Sequence, residues 1–322
     1  MPLRLSLLVC LLLLAQDGAN AASTLAKAVK QTDAKYLTVP DVTGDDSAPK
    51  IEARRGEEGT ATTREITQGT IKAVLSYKEE KSEDGEAVRV PVVTVLAGGK
   101  EVARLEGEDT GFPDAPASVQ IAELDPSNSQ PEVVVSFFTG GAHCCSATRV
   151  VTASPDGSKW TTVDLGEFDG GPLLATDLNH DGRYEFMTRD NAFLYAFACY
   201  ACSAAPLKLI GIDNGKVKDL TRDPVFKPVH AAALKSMVES VPDASDANGF
   251  LAGYVAEKIL LGEGKQAWDL MLAHYDRKSD FGLDTCDKPL NQDGECPGKT
   301  IRLTFPKALE RMLNENGYKI EK

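Results

Sequence analysis

The sequence contains two copies of one repeating unit, residues 119–170 and residues 172–223. Ala122 of the first copy corresponds to Ala175 of the second, which sets a period of 53 residues. Each copy continues with an acidic loop, an apolar strand, a cysteine-bearing strand and a closing turn. Repeats of this length that consist of short strands are typical of antiparallel sheets arranged side by side. We therefore expect the middle of the chain to be a β-repeat domain.

The acidic loop of the second copy has the pattern D-x-N-x-D-G-x-x-E between two predicted strands. Side-chain oxygens at these alternate positions can converge on one cation, because the glycine lets the chain turn back sharply. Calcium takes six to eight oxygen ligands, including backbone carbonyls. The alternative is a polar turn that binds no metal. The pattern predicts a structural calcium site with these ligands: Asp177, Asn179, Asp181, the backbone carbonyl of Arg183, and Glu185.

This loop differs from an EF-hand, which has a glutamate at position twelve and a helix on each side. Position twelve here is Thr188, and the flanking residues are predicted strands. The stretch 119–223 instead resembles the calcium-binding repeats of FG-GAP and VCBS-type β-propellers, in which such a loop joins two strands of a blade. The two copies and residues 70–110 give at most three blades, whereas closed propellers have four or more. The resemblance therefore implies an incomplete propeller or stacked β-sheets.

The first copy of the loop departs from the family pattern. It keeps oxygen side chains at Glu123, Asp125, Ser127 and Glu132, but it is one residue longer and lacks the central glycine. We expect it to form the same turn without holding a metal tightly.

The fold class expected for the whole chain is α+β, with blade-like antiparallel repeats followed by a small helical C-terminal region. An apolar run ending in Ala19-Asn-Ala21 predicts a signal peptide over 1–21. Residues 22–68 are expected to be an N-terminal segment or linker, and 69–223 the FG-GAP-like β domain. Apolar residues at helical spacing predict helices in 224–322, together with a disulfide loop.

The predicted signal indicates an exported protein, periplasmic or secreted. The net charge of −13 would repel nucleic-acid phosphate and anionic lipid. The apolar run of the signal is too short to span a bilayer. We therefore expect no nucleic-acid partner and no membrane insertion.

Export to an oxidising compartment favours disulfides among the six cysteines outside the signal. We expect a local bridge between Cys286 and Cys296, and a bridge from one of the first pair of cysteines to one of the second pair. Two alternatives stay open, a soft-metal site with His143 and a redox-active C-x-x-C motif. The disulfide candidates are Cys144, Cys145, Cys199, Cys202, Cys286 and Cys296.

No G-x-S-x-G or H-E-x-x-H motif occurs in the sequence, and the histidines stand alone apart from His143 beside two cysteines. The sequence therefore favours an exported, calcium-stabilised binding or interaction module that is not an enzyme, with a protein or glycan as its partner. The alternative is an exported hydrolase whose catalytic residues no motif marks.

Overall fold

The computed structural model describes residues 24–54, 62–82, 85–111, 114–141, 144–241, 247–289 and 291–320. The chain forms two compact units. The described residues of the β unit fall within Thr43–Thr188 and Lys208–Asp223, and those of the helical unit fall within Met1–Val42, Arg189–Leu207 and Pro224–Lys322. The predicted signal peptide, residues 1–21, lies outside the described residues. The expected α+β class is confirmed, with antiparallel sheets and a helical C-terminal region.

Three antiparallel sheets make up the β unit. The first contains β2 (Arg64–Gln68), β3 (Ile71–Lys81), β4 (Ala87–Ala97) and β5 (Lys100–Glu106), in that order. The second has the order β1-β6-β7-β8-β9, with β1 (Lys50–Ala53), β6 (Ala117–Ala122), β7 (Glu132–Phe138), β8 (Cys144–Ala153) and β9 (Trp160–Asp169). The third contains β10 (Ala175–Thr176), β11 (Glu185–Arg189), β12 (Leu207–Asp213) and β13 (Lys216–Asp219). Each copy of the repeat thus supplies four consecutive strands to one sheet.

The second sheet lies between the other two. Alternate residues of a strand face opposite sides of its sheet, and neighbouring residues of β7 belong to different cores. Val133 and Val135 pack in a cluster with residues of the first sheet, whereas Val134 packs with Phe186 and Ile210 of the third. This position explains why β6 and the apolar stretch of β7 are buried on both faces. The β unit is therefore a stack of sheets, one of the two architectures expected.

The N-terminal segment differs from the linker expected over 22–68. Strand β1 pairs with β6 at the edge of the second sheet, and β2 pairs with β3 in the first. Residues 24–32 form a helix, α1, in the helical unit. The segment is poor in large apolar residues because β1 is a short edge strand and β2 is only partly buried.

The helical unit is organised around one buried helix. Its helices after α1 are α2 (Lys227–Glu239), α3 (Ala247–Leu260), α4 (Gly264–His274) and α5 (Phe305–Glu315). A short hairpin of β14 (Asp284–Cys286) and β15 (Thr300–Arg302) precedes α5. Helix α3 is buried along nearly its whole length and contacts the other helices through one apolar core. No helix in the described ranges is long and apolar enough to cross a membrane.

Candidate functional site

The predicted calcium loop lies between strands β10 and β11, where the sequence analysis places it. Thr176 pairs with Glu185 across the two strands, so residues 177–184 form the connection. His180 and Gly182 have φ angles of 58° and 85°, in the left-handed region. Two left-handed residues so close together reverse the chain sharply. The backbone therefore forms the compact turn that the D-x-N-x-D-G-x-x-E pattern requires.

The side chains of the loop point toward its own backbone. The Asp177 carboxylate is buried and accepts hydrogen bonds from the backbone N–H of Asp181 at 3.1 Å and of Gly182 at 2.9 Å. Asn179 Oδ1 accepts from Asp181 N at 3.2 Å, and Asp181 Oδ1 accepts from Arg183 N at 2.8 Å. These bonds hold three oxygen side chains on the concave side of one turn.

Glu185 brings a further carboxylate to the loop from the start of β11. Its side chain is buried, and its Oε2 accepts one hydrogen bond, from Leu178 N at 3.1 Å. Burial, followed by repulsion from Asp181 and Asp177, raises its pKa to about 7. The one hydrogen bond from Leu178 therefore does not offset the cost of burying the ionised Glu185 carboxylate.

A metal site needs its ligand atoms close together, so the distances between the side-chain ligand atoms are compared with a limit of 4.8 Å. Among the described residues, the one group of three His, Cys, Asp or Glu ligand atoms within 4.8 Å of one another is Cys286, Asp287 and Cys296. The two sulfurs of that group are joined in a disulfide, so they are not metal ligands. The carboxylate oxygens of Asp177, Asp181 and Glu185 do not form such a group. Calcium ligands lie 2.3–2.6 Å from the ion, so binding would draw the loop oxygens inward.

The corresponding loop of the first copy satisfies its buried carboxylates with protein donors. Ala122 pairs with Glu132 as Thr176 pairs with Glu185. The Glu132 carboxylate is fully buried and accepts four hydrogen bonds of 2.8–3.0 Å, from Leu124 N, Asp125 N, Asn128 Nδ2 and Thr152 Oγ1. These donors contact both carboxylate oxygens of Glu132.

Asp125 in this loop is also neutralised by N–H groups. Its carboxylate is fully buried and accepts from Ser127 N at 2.9 Å, Asn214 N at 3.1 Å and Gly215 N at 2.6 Å. Burial would raise its pKa, but the hydrogen bonds from Ser127, Gly215 and Asn214 outweigh it and lower the pKa.

The two acidic loops are in contact, and the N-terminal segment crosses the second of them. Tyr184 N donates to Glu123 O at 2.8 Å, and the Arg183 guanidinium lies 3.5 Å from the Glu123 carboxylate. The backbone groups of Asp45 and Asp177 bond each other in both directions, at 2.9 and 3.0 Å. Residues 43–47, which the sequence analysis treats as linker, therefore form one wall of the predicted calcium loop.

Of the two predicted disulfides, one is present and the other is not. Cys286 bonds to Cys296, as expected. Cys199 bonds to Cys202 in a short 3₁₀-helical turn, so the predicted bridge between the first and second pairs is wrong, as is the predicted strand at Cys199–Cys202. Cys145 is also in a disulfide. His143 and the side chain of Cys144 lie outside the described residues.

Two buried polar networks in the helical unit escaped the sequence analysis. Lys258 is fully buried and donates to Asp33 Oδ1 at 2.5 Å, while the Tyr254 hydroxyl donates to Asp33 Oδ2 at 2.6 Å. His230, which the sequence analysis describes as standing alone, lies 2.7 Å from Glu257 Oε1. The sequence signal is a Glu-Lys pair inside the apolar stripe of α3.

Glu263 extends the first network. It contacts Lys258, Lys35 and the Tyr36 hydroxyl, the last at 3.0 Å. Burial opposes ionisation, but hydrogen bonds from Lys258 and Lys35 lower the pKa of Glu263 to about 2. Two ammonium groups therefore face two carboxylates, so the network is electrically balanced.

The fold and the loop define an α+β protein with a stacked β-repeat unit, a helical unit and an acidic turn that carries the D-x-N-x-D-G-x-x-E pattern. Residues 230–317 match the family described as the sll0997 C-terminal domain. The probable thylakoid lumen protein sll0997 of Synechocystis sp. is 41% identical over 257 residues, which cover 79% of this chain and 75% of that protein. The chain belongs to the sll0997 family.

A second relative is the protein y4bJ of Sinorhizobium fredii, which is 34% identical over 236 residues. The match covers 71% of this chain but only 37% of y4bJ. No solved structure matches the chain. The description of sll0997 as a lumen protein supports an exported location for the family.

Proposed function

We propose that this chain is an exported, calcium-stabilised binding module for a protein or glycan partner. The observation that carries the proposal is that the second acidic loop brings several oxygen side chains together but gives its buried glutamate few hydrogen bonds. It gathers Asp177, Asn179, Asp181 and Glu185 on one turn, and Glu185 accepts only one hydrogen bond from the described residues. A divalent cation would supply the positive charge that this turn lacks.

Calcium would have a structural role. The loop joins β10 to β11, and its first residue is bonded to the backbone of Asp45. A bound ion would therefore fix a turn, two strands and the N-terminal segment at one point. The relative's description as a lumen protein and the predicted signal support an exported site of action, periplasmic or secreted.

A cleft in the β unit offers a place for a partner. It has a volume of about 410 Å³ and its lining includes the aromatic ring of Phe138 and the buried residues Ser136 and Ser146. Glu52 and Arg54 also line it and form an ion pair at 2.8 Å. Apolar surface with a few polar groups is typical of ligand clefts. A short peptide segment or a sugar would match this mixture.

Calorimetric titration of chelated protein with calcium tests the metal. We expect one equivalent to bind, and Asp177→Ala to abolish binding. The matched control is Glu123→Ala, which removes a carboxylate of the first loop and should bind calcium as the unaltered protein does. Absence of binding to the unaltered chain, or equal loss in both variants, would reject the calcium site.

A binding experiment tests the partner. Immobilised protein is exposed to the exported fraction and to a panel of glycans, and bound material is compared between unaltered protein and Ser146→Trp, which fills the cleft. We expect specific retention of one protein or glycan that the cleft variant loses. Equal retention by both forms would place the partner elsewhere.

A further inference from the structure

The Cys199–Cys202 disulfide in the helical unit has features that a structural cross-link does not need. Only three positions separate its cysteines, and their Cα atoms are 4.9 Å apart. Cys199 is exposed to solvent, whereas Cys202 is half-buried. Exposed disulfides are the ones that tend to exchange with external thiols, because exchange requires access to a sulfur atom. Cys199 is therefore the side of the bridge that faces an incoming thiol.

Packing on α3 holds the segment around the bridge in place independently of the sulfur–sulfur bond. Gly249 and Gly253 let residues 196–204 approach the helix closely. A Cβ atom on Gly249 would lie 2.5 Å from Ala198 Cβ, and one on Gly253 would lie 2.2 Å from Ala204 O. Such contacts fix the backbone of the segment without the disulfide.

Hydrogen bonds add to this packing. Ser203 Oγ donates to Cys199 O at 3.0 Å and accepts from Tyr195 N at 3.1 Å. A cross-link also contributes least when it closes a short loop, because such a loop has little chain entropy to lose. Reduction should therefore leave the fold of the helical unit nearly unchanged.

A cleft opens beside the half-buried sulfur. It has a volume of about 510 Å³, and Cys202 lines it together with the apolar side chains of Met237 and Phe250. Arg189 also lines it, so a cationic group shares the space into which a thiolate would be released. The cleft gives a substrate's side chain access to the bridge from a defined side.

We propose that Cys199–Cys202 is a redox-active disulfide that oxidises a protein dithiol. A donor thiolate attacks Cys199 Sγ, a mixed disulfide forms, and Cys202 leaves as a thiolate. The second donor thiolate then attacks the donor sulfur of the mixed disulfide and releases the Cys199 thiolate. The donor becomes a disulfide, and its two protons and two electrons end on Cys199 and Cys202.

The second described bridge, Cys286–Cys296, provides an internal control. It joins the exposed Cys296 to the buried Cys286, and ten positions separate the two. The loop that it closes is polar and mostly exposed, so packing does not order it. This bridge should act as a structural cross-link and resist exchange.

A redox titration of the full chain tests the proposal. The oxidised protein is equilibrated with graded ratios of reduced to oxidised dithiothreitol, quenched with acid, alkylated and mapped by mass spectrometry. We expect Cys199–Cys202 to be half-reduced at a ratio at least about tenfold lower than Cys286–Cys296, with the circular dichroism unchanged at that point. Equal midpoints, or loss of structure when Cys199–Cys202 opens, would overturn the proposal.

Trapping of the mixed disulfide tests the order of attack with a matched pair of variants. Cys202→Ser keeps the exposed thiol of Cys199, and Cys199→Ser keeps the half-buried thiol of Cys202. With a reduced peptide that carries a single cysteine, and so cannot resolve the mixed disulfide itself, Cys202→Ser should trap at least about ten times more adduct under mild oxidant. Equal trapping, or none, contradicts the assigned role of Cys199, and melting curves confirm that both variants are folded.

Discussion

The two acidic loops of the β unit differ in how many hydrogen bonds satisfy the buried glutamate that ends each loop. In the first loop, Glu132 and Asp125 are fully buried, and together they accept seven hydrogen bonds from protein groups. In the second loop, Glu185 accepts one, and repulsion from neighbouring carboxylates adds to the effect of burial. In both copies, the residue before the loop pairs across the two strands with the glutamate that follows it: Ala122 with Glu132, and Thr176 with Glu185.

A turn of this shape can be stabilised in two ways. A buried carboxylate needs either hydrogen-bond donors or a cation. Asn128 and Thr152 supply donors to Glu132 in the first loop. In place of such donors, the second loop has Gly182 at its centre and the oxygen side chains of Asn179 and Asp181.

The largest expected effect comes from removing the glutamate of the first loop. Glu132→Ala leaves the buried N–H groups of Leu124 and Asp125 without an acceptor, which should lower the free energy of unfolding by at least about 3 kcal/mol. The matched change Glu185→Ala, measured in chelator, should cost only about 1 kcal/mol, because it leaves one N–H group, that of Leu178, without an acceptor but also removes a repelled charge. Urea denaturation of both variants measures the difference, and equal costs would contradict the comparison.

Calcium should stabilise the second loop and leave the first unaffected. A ligand that binds only the folded state adds about 2.7 kcal/mol at a concentration one hundred times its Kd. We therefore expect excess calcium to raise the melting temperature of chelated protein by several degrees. Asp177→Ala should lose this response, and Glu123→Ala should keep it. A calcium response that survives in Asp177→Ala would place the ion elsewhere.

A smaller effect is expected where the two copies meet. The side-chain amide of Gln120 bonds both backbone groups of Ala175, at 2.8 Å each. Gln120→Leu leaves both groups without a partner and should cost about 2 kcal/mol in urea denaturation. The control is Ser118→Ala, because Ser118 Oγ is buried without a hydrogen-bond partner among the described residues. The control should be neutral or slightly stabilising. If the two variants cost the same, the Gln120 amide does not join the copies.

The smallest effect is a pH dependence confined to the first loop. The folded-state pKa of Asp125 is lowered, so its ionised form stabilises the fold above its ordinary value of 3.8, and this contribution is lost as the pH falls below it. Asp125→Asn should therefore flatten the acid limb of the stability profile. Unfolding free energies between pH 3 and pH 7 measure the slope. An unchanged slope would mean that the N–H donors do not favour the ionised carboxylate.

Local patterns in the sequence predicted those features that neighbouring residues decide. The 53-residue repeat predicted the second and third sheets, because strand period and turn residues are properties of short stretches. The same holds for the turn at Asp177–Glu185 and for Cys286–Cys296, whose partners lie close in sequence. The α+β class followed from the change to helical spacing after Pro224.

Only the tertiary structure decided which distant groups meet. Asp33 and Lys258 are 225 positions apart, and no spacing rule joins them. The edge position of β1 depends on β6, which lies far along the chain. The cysteines of the two copies occupy similar sequence positions, yet Cys199 bonds to Cys202, because the chain turns in a 3₁₀ helix there instead of continuing as a strand. Sequence fixes local periodicity and turn chemistry, whereas long-range pairing depends on how the formed elements bury their faces.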